Sequence, residues 1–207
     1  ALPSAIVLAP ASVLLAGGTG AVDNPYAETD VTNTLDAGTG AASPAYYLVE
    51  SGDVTSVDLE GPLTIGSTGQ YNILNITEGG SLNTVYVLVG QGGFTDPTYG
   101  GHNSVTITGS GVDDTSTTLF SSFGLTVGDM GSSNTFSVLS GADVTIAGYM
   151  TIGSGSSDDT ARSINAENGF GYGNSMTISG AGSSLTAYSE SGSEYMNLVL
   201  GNYGCAN

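Results

Sequence analysis

Residues 125–148 read LTVGDMGSSNTFSVLSGADVTIAG, three short alternating runs parted by Gly-, Ser- and Asp-rich corners. In Leu125-Thr126-Val127-Gly128 an extended chain turns the two apolar residues to one face and the threonine to the other. Gly128 permits the positive φ that a sharp corner needs. Asn134-Thr135-Phe136-Ser137-Val138 repeats the alternation behind an asparagine, which tolerates the left-handed region and can bond nearby backbone. A Gly turn then leads into a third run, Asp143-Val144-Thr145-Ile146-Ala147.

The same grammar recurs along the chain. The apolar-x-apolar-Gly block appears at Leu63–Gly66, Val87–Gly90, Leu125–Gly128, Met150–Gly153 and Leu198–Gly201. Asn-led runs follow at Asn103–Ile107, Asn134–Val138 and Asn174–Ile178, with a looser copy at Asn72–Ile76. The block glycines are 24, 38, 25 and 48 residues apart, and the extra length falls in the loops 91–101 and 154–173. Length variation confined to loops is what stacked coils tolerate, because each coil meets its neighbours only through its strands. A two-sheet sandwich also uses short strands, but it does not require one tetrapeptide to recur in register. The residues therefore predict an all-β, parallel β-solenoid whose equivalent asparagines stack into a ladder.

The first 60 residues follow this pattern poorly. Ala45–Val49 and Val54–Leu59 read as strands, and Thr19–Gly40 as a polar loop. We expect 1–60 to be an irregular N-terminal β cap or connector and 61–207 to be the repeat domain, since a solenoid must protect its terminal strand edges. No cap is evident at the other end, so its open edge is expected to be covered by further chain or by another molecule.

Composition removes several functions. Nineteen acidic residues face one basic residue, Arg162, for a formal net charge of -18. Such a surface repels phosphate backbones and anionic lipid, so no nucleic-acid partner is expected. Disorder is disfavoured: 39% of residues are hydrophobic and alternate in strand-like runs, with glycine (33) at their ends and only 6 prolines. Ile6–Leu15 is apolar but interrupted by Pro10 and far below the roughly 20 residues of a membrane span, so no membrane insertion is expected. The sequence opens on Ala1 rather than Met, which fits a signal peptide already removed and hence secretion. The single Cys205 can form no intrachain disulfide.

Residues 174–187 (NSMTISGAGSSLTA), 103–111 (NSVTITGSG) and 125–148 resemble the repeats of bacterial autotransporter-type passenger domains and other large secreted bacterial repeat proteins. The likeness covers roughly residues 61 to 207. It implies a right-handed parallel β-helix at the outside of a bacterial cell, with adhesive, scaffolding or matrix roles. It supplies no catalytic motif.

The chemistry-bearing residues point away from an enzyme. Arg162 lies in an acidic loop and reads as a solvated ion pair. His102 follows Gly100-Gly101, with no nucleophile elbow in sight. Asp113-Asp114 and Asp158-Asp159 are adjacent pairs whose side chains diverge on an extended chain, so they do not form a hydrolase's carboxylate pair. With Asp96, Glu167 and Asn168 they are the calcium candidates, although no EF-hand pattern is present. No cofactor is otherwise expected. Tyr99, Tyr149, Tyr172, Tyr188, Tyr195 and Tyr203 fall at loops or strand ends, where amphipathic rings suit carbohydrate or protein contacts.

The expected function is a structural subunit that assembles with copies of itself into an extracellular filament or surface layer. Its interface is expected to join the apolar N-terminal residues Ala5, Ile6, Val7, Leu8, Val13, Leu14 and Leu15 to the last block, Leu198, Val199 and Leu200, by strand addition. The alternative is a glycan-binding adhesin fragment, and more remotely a polysaccharide-active enzyme.

Overall fold

A computed structural model describes residues 33–36, 38–42, 45–50, 56–92, 99–109, 116–154, 171–189 and 198–202. These residues are all-β, without a helix. In chain order the strands are β1 (Asn33–Leu35), β2 (Ala45–Glu50), β3 (Ser56–Asp58), β4 (Leu63–Ile65) and β5 (Asn72–Thr77). Then come β6 (Ser81–Gln91), β7 (Ser104–Thr108), β8 (Thr118–Asp129), β9 (Thr135–Leu139) and β10 (Asp143–Ala147). The last are β11 (Tyr149–Ser154), β12 (Ser175–Ser179), β13 (Ser184–Tyr188) and β14 (Leu198–Asn202).

The strands form two sheets. One holds β2, β5, β7, β9 and β12 as neighbours in that order, and the other holds the remaining nine. Every strand-to-strand ladder among the described residues is parallel, with only a single antiparallel bridge, Gln91 to Met130. The chain thus returns repeatedly to each sheet, setting each strand beside one that precedes it by a full repeat. The recurrent blocks lie above one another: Ile65 pairs with Val89, Val89 with Val127, Val127 with Ile152, and Ile152 with Leu200.

Alternation along each strand builds the interior. In β5, β7 and β9 every second residue is buried, so Leu74, Ile76, Val105, Ile107, Phe136 and Val138 share one core with Leu125, Val127, Val144 and Ile146. Burying side chains of this size stabilises the fold by roughly 1.5–3 kcal/mol each. The long strands β6 and β8 each bend midway. Their first halves pair with β3 and β10, and their second halves with β4 and β11. At the bends the buried Thr84 and Ser121 replace apolar residues. Thr84 Oγ1 donates to Gly61 O (2.9 Å) and Ser121 Oγ to Gly124 O (2.7 Å), so both buried hydroxyls are satisfied by backbone carbonyls.

The asparagines form the predicted ladder. The Oδ1 of Asn103 accepts from Asn72 N (3.0 Å) and Nδ2 (2.9 Å), that of Asn134 from Asn103 N (2.8 Å) and Nδ2 (3.1 Å), and that of Asn174 from Asn134 N (2.9 Å) and Nδ2 (3.0 Å). Gly38 N extends it by donating to Asn72 Oδ1 (2.8 Å). All four side chains are buried, so these bonds satisfy groups that would otherwise be desolvated without return. Each ladder asparagine follows a left-handed residue: Tyr71 (φ 59°), His102 (57°), Ser133 (59°) and Gly173 (67°).

The block glycines are tied to this ladder. Gly66, Gly90 and Gly128 have φ of 73–78°, and a Cβ on any of them would sit 2.1 Å from the Nδ2 of Asn103, Asn134 or Asn174 respectively. Glycine is required twice over, for its φ and for the space. Asp36 stands at this position behind β1, and its carboxylate reaches the following loop, accepting from Ser67 N (2.8 Å) and Gly69 N (2.6 Å).

Two expectations are refined by the fold. Asn33–Leu35 is a strand inside the stretch read as a polar loop, because Leu35 buries beside Ile65 in the sheet. Residues 45–50 and 56–58 also pair in register with the repeats, as β2 and β3.

Removing a rung should be costly. Asn134→Ala strands the Asn103 N–H and amide and is expected to lower unfolding free energy by about 2–4 kcal/mol, read by urea denaturation. Gly128→Ala should cost more than the roughly 1–2 kcal/mol of a left-handed alanine, because the Asn174 amide must also move. The surface control Ser137→Ala should stay within about 0.5 kcal/mol. Equal effects for all three would contradict a ladder that fixes the register.

Candidate functional site

The two ends of the sheets differ. Leu35, Tyr47 and Val49, on the edge strands β1 and β2, are buried. At the opposite end, Met176 and Ile178 of β12, Leu185 and Ala187 of β13, and Leu198 and Leu200 of β14 line an open apolar basin of about 330 Å³, with Met150 and Ile152 beneath them. Ile178 is 49% exposed, Leu198 59% and Leu200 66%. These side chains occupy the positions that are fully buried one repeat earlier: Met176 pairs with Phe136, Ile178 with Val138, and Leu185 with Val144. Among the described residues no strand pairs with the outer edges of β12, β13 or β14. An apolar interior and three strand edges therefore coincide in one surface.

Of the residues expected at the assembly interface, Leu198 and Leu200 face this basin. Val199 instead pairs with Thr151, on the opposite side of the strand. Ala5, Ile6, Val7, Leu8, Val13, Leu14 and Leu15 lie outside the described residues. Met176, Ile178, Leu185 and Ala187 belong to the surface as well. The alternation of Asn174–Ile178 and Ser183–Ala187 carried that information once they are recognised as the last complete strands of their sheets.

The calcium candidates Asp96, Asp113, Asp114, Asp158, Asp159, Glu167 and Asn168 lie outside the described residues, as do Arg162, Cys205, Tyr195 and Tyr203. Among the described residues no group of three or more His, Cys, Asp or Glu side chains could hold a metal ion, and no helix is long and apolar enough to cross a membrane. His102 stacks on Tyr71, with ring centroids 4.7 Å apart and planes 8° from parallel. The stack joins two successive left-handed corners.

A second surface feature lies on the outer side of β6, β8 and β11. Phe123, 54% exposed, meets Tyr149 edge-on (5.5 Å, 84°) and Tyr86 at a tilt (6.3 Å, 52°). The Tyr86 hydroxyl hydrogen-bonds Thr126 Oγ1 at 2.5 Å. Beside them the half-buried Asp129 carboxylate accepts from the Ser154 side chain. Burial pushes the Asp129 carboxyl above its ordinary pKa, and the Ser154 bond only partly offsets this. Burial also raises the Tyr86 phenol, against the Thr126 bond, and the nearby Asp129 charge adds to the rise. Tyr99, Tyr149, Tyr172 and Tyr188 are exposed, as their loop and strand-end positions suggested. Phe123 and Tyr86 gave no such signal, because both sit inside long strands.

Comparison with known proteins identifies no relative: no family model matches the chain, and no curated protein or solved structure matches it.

The Asp129 shift fixes the sign of a pH effect. Its carboxyl binds a proton more tightly folded than unfolded, so its charged form opposes folding above the raised pKa. That opposition fades as pH falls through the folded value towards 3.8. Asp129→Asn is expected to raise Tm at pH 7 and to lose this advantage near pH 3.8, measured by thermal melts at both values. An unchanged difference between the two pH values would contradict the assignment.

Proposed function

We propose that the chain is an extracellular structural subunit, a parallel β-solenoid that assembles head to tail with copies of itself. The open apolar end supports this reading most directly. The parallel pairing and the chain's alternation between sheets favour a right-handed β-helix, since parallel crossovers wind right-handed in nearly all cases. The occupant we assign to the open end is the N-terminal apolar segment of the next copy, with Ile6-Val7-Leu8 and Val13-Leu14-Leu15 each offering an apolar-x-apolar run like the blocks themselves. No reaction, resident cofactor or nucleic-acid partner is part of the proposal. The bacterial cell surface is the location that the repeat resemblance suggests.

Magnitudes favour strand addition over simple apolar contact. Covering the half-exposed basin returns on the order of 1 kcal/mol per side chain. Over six side chains that only reaches the lower range of the about 4–15 kcal/mol lost in rigid-body freedom on association. Main-chain hydrogen bonds to the edges of β12, β13 and β14 must supply the surplus, and only an incoming strand can make them.

Negative-stain microscopy of the purified full chain tests this. Uniform fibres are expected, with dispersed particles after deletion of residues 1–16 or after Leu200→Asp. Leu200 is largely exposed in the single chain, so its substitution should leave the far-UV circular dichroism of the chain unchanged. Dispersed wild-type particles, or normal fibres from either variant, would refute the proposal.

A further inference from the structure

The outer face of β6, β8 and β11 has a chemistry that end-to-end assembly does not use. Tyr86, Gly124 and Tyr149 are register partners there, and Leu88, Thr126 and Thr151 form the adjacent outward row. A Cβ on Gly124 would lie 2.8 Å from Tyr86 Cε2, so the Tyr86 ring lies across the Gly124 backbone. Phe123 projects from the bend between Ser121 and Gly124, where Ser121 Oγ holds the backbone by bonding Gly124 O. The result is an aromatic strip spanning three neighbouring strands, with Phe123 and Tyr149 about half exposed.

Core packing does not call for this strip. The interior is filled by Leu119, Leu125, Val127 and Met150 on the inward sides of the same strands, and the rings stand on the outward side. Alongside the rings sit the Tyr86 hydroxyl, which can both donate and accept and is held in place by the buried Thr126 hydroxyl, and the Asp129 carboxylate, which only accepts. Exposed aromatic faces beside a hydroxyl group and one acceptor match a sugar ring, which offers apolar C–H faces and hydroxyl donors around its rim. The strip is open and runs across strands, which suits an extended chain of sugars more than a single enclosed one. A net charge of -18 selects against acidic polymers.

We propose that the Tyr86–Phe123–Tyr149 strip, with Asp129, is a binding site for a neutral polysaccharide. It lies on the outward side of the sheet and needs no contact at the open end, so it stands independently of the assembly proposal.

Native gels of the full chain cast with soluble β-glucan, xyloglucan, galactomannan or dextran, against alginate and polylysine, test the site. Retardation is expected in at least one neutral polymer and not in alginate. Phe123→Ala and Tyr149→Ala should each weaken that binding about tenfold, and Asp129→Asn should weaken it without changing far-UV circular dichroism. Thr145→Ala, in β10, should bind as wild type. With no tryptophan in the chain, quenching or enhancement of tyrosine fluorescence gives a second reading of the same titration. The proposal is overturned by migration unaffected in every neutral gel, by ring variants that bind as wild type, or by retention in polylysine alone. Fibres examined in parallel keep the two proposals separable, because the ring variants leave the open end intact.

Discussion

The contact on which the register depends is between a missing side chain and an amide. Gly66, Gly90 and Gly128 each leave room where the asparagine of the following repeat places its Nδ2, and that asparagine's Oδ1 receives two N–H groups from the asparagine before it. Slipping a strand by one residue would drive Cβ atoms into the amides and also turn every apolar residue outward. The hydrophobic pattern alone cannot reject a slip of two residues, since its period is two. The glycine–asparagine contact can. It acts as a positional lock within a core that is otherwise only alternating.

That lock suits a chain with almost no positive charge. Ionic ladders would need cations that the sequence lacks, while a primary amide both donates and accepts and can repeat indefinitely without accumulating charge. Neutral side-chain bonds recur on the outside too, as in Thr118 Oγ1 to Ser81 Oγ (2.8 Å) and Thr135 Oγ1 to Ser104 Oγ (3.0 Å). Parallel in-register stacking places like beside like, so repeated acidic positions would repel across every rung. The column Ser104, Thr135, Ser175 shows the alternative: small hydroxyl residues in place of charge.

Much of this was legible in the sequence because the physics is local and repeated. Leu-Thr-Val-Gly shows its facing, its corner and its recurrence within four residues, and the register of Ile65, Val89, Val127, Ile152 and Leu200 follows from stacking them. The bends were not legible. Thr84 and Ser121 are polar residues at buried positions, and Thr84 is held there by Gly61 O, which only the folded chain brings near. Asn33–Leu35 escaped for a related reason: its Asn and Asp36 replace the apolar residue and glycine of the block, leaving Leu35 as the only sign. Leu198 and Leu200 were recognisable at the open end from their block, and the same alternation already sets Val199 on the other side, where it pairs with Thr151.

A parallel stack has a direction, and so its two ends cannot be alike. An antiparallel sheet can meet a copy of itself edge to edge about a twofold axis and close as a dimer. Here the edge of β12, β13 and β14 could continue in parallel only with an edge of the opposite kind. Any contact between copies that continued the parallel pairing would therefore be heterologous, and unless its rotation closed into a ring it would leave the same two unlike ends free. The apolar basin makes this more than geometry, because Ile178, Leu198 and Leu200 are exposed at positions whose equivalents one repeat earlier are buried. The repeat that gives each inner rung its stability thus leaves on the outermost described rung an exposed apolar surface with a defined polarity. A partner that satisfies it by the same rules must present the same alternation.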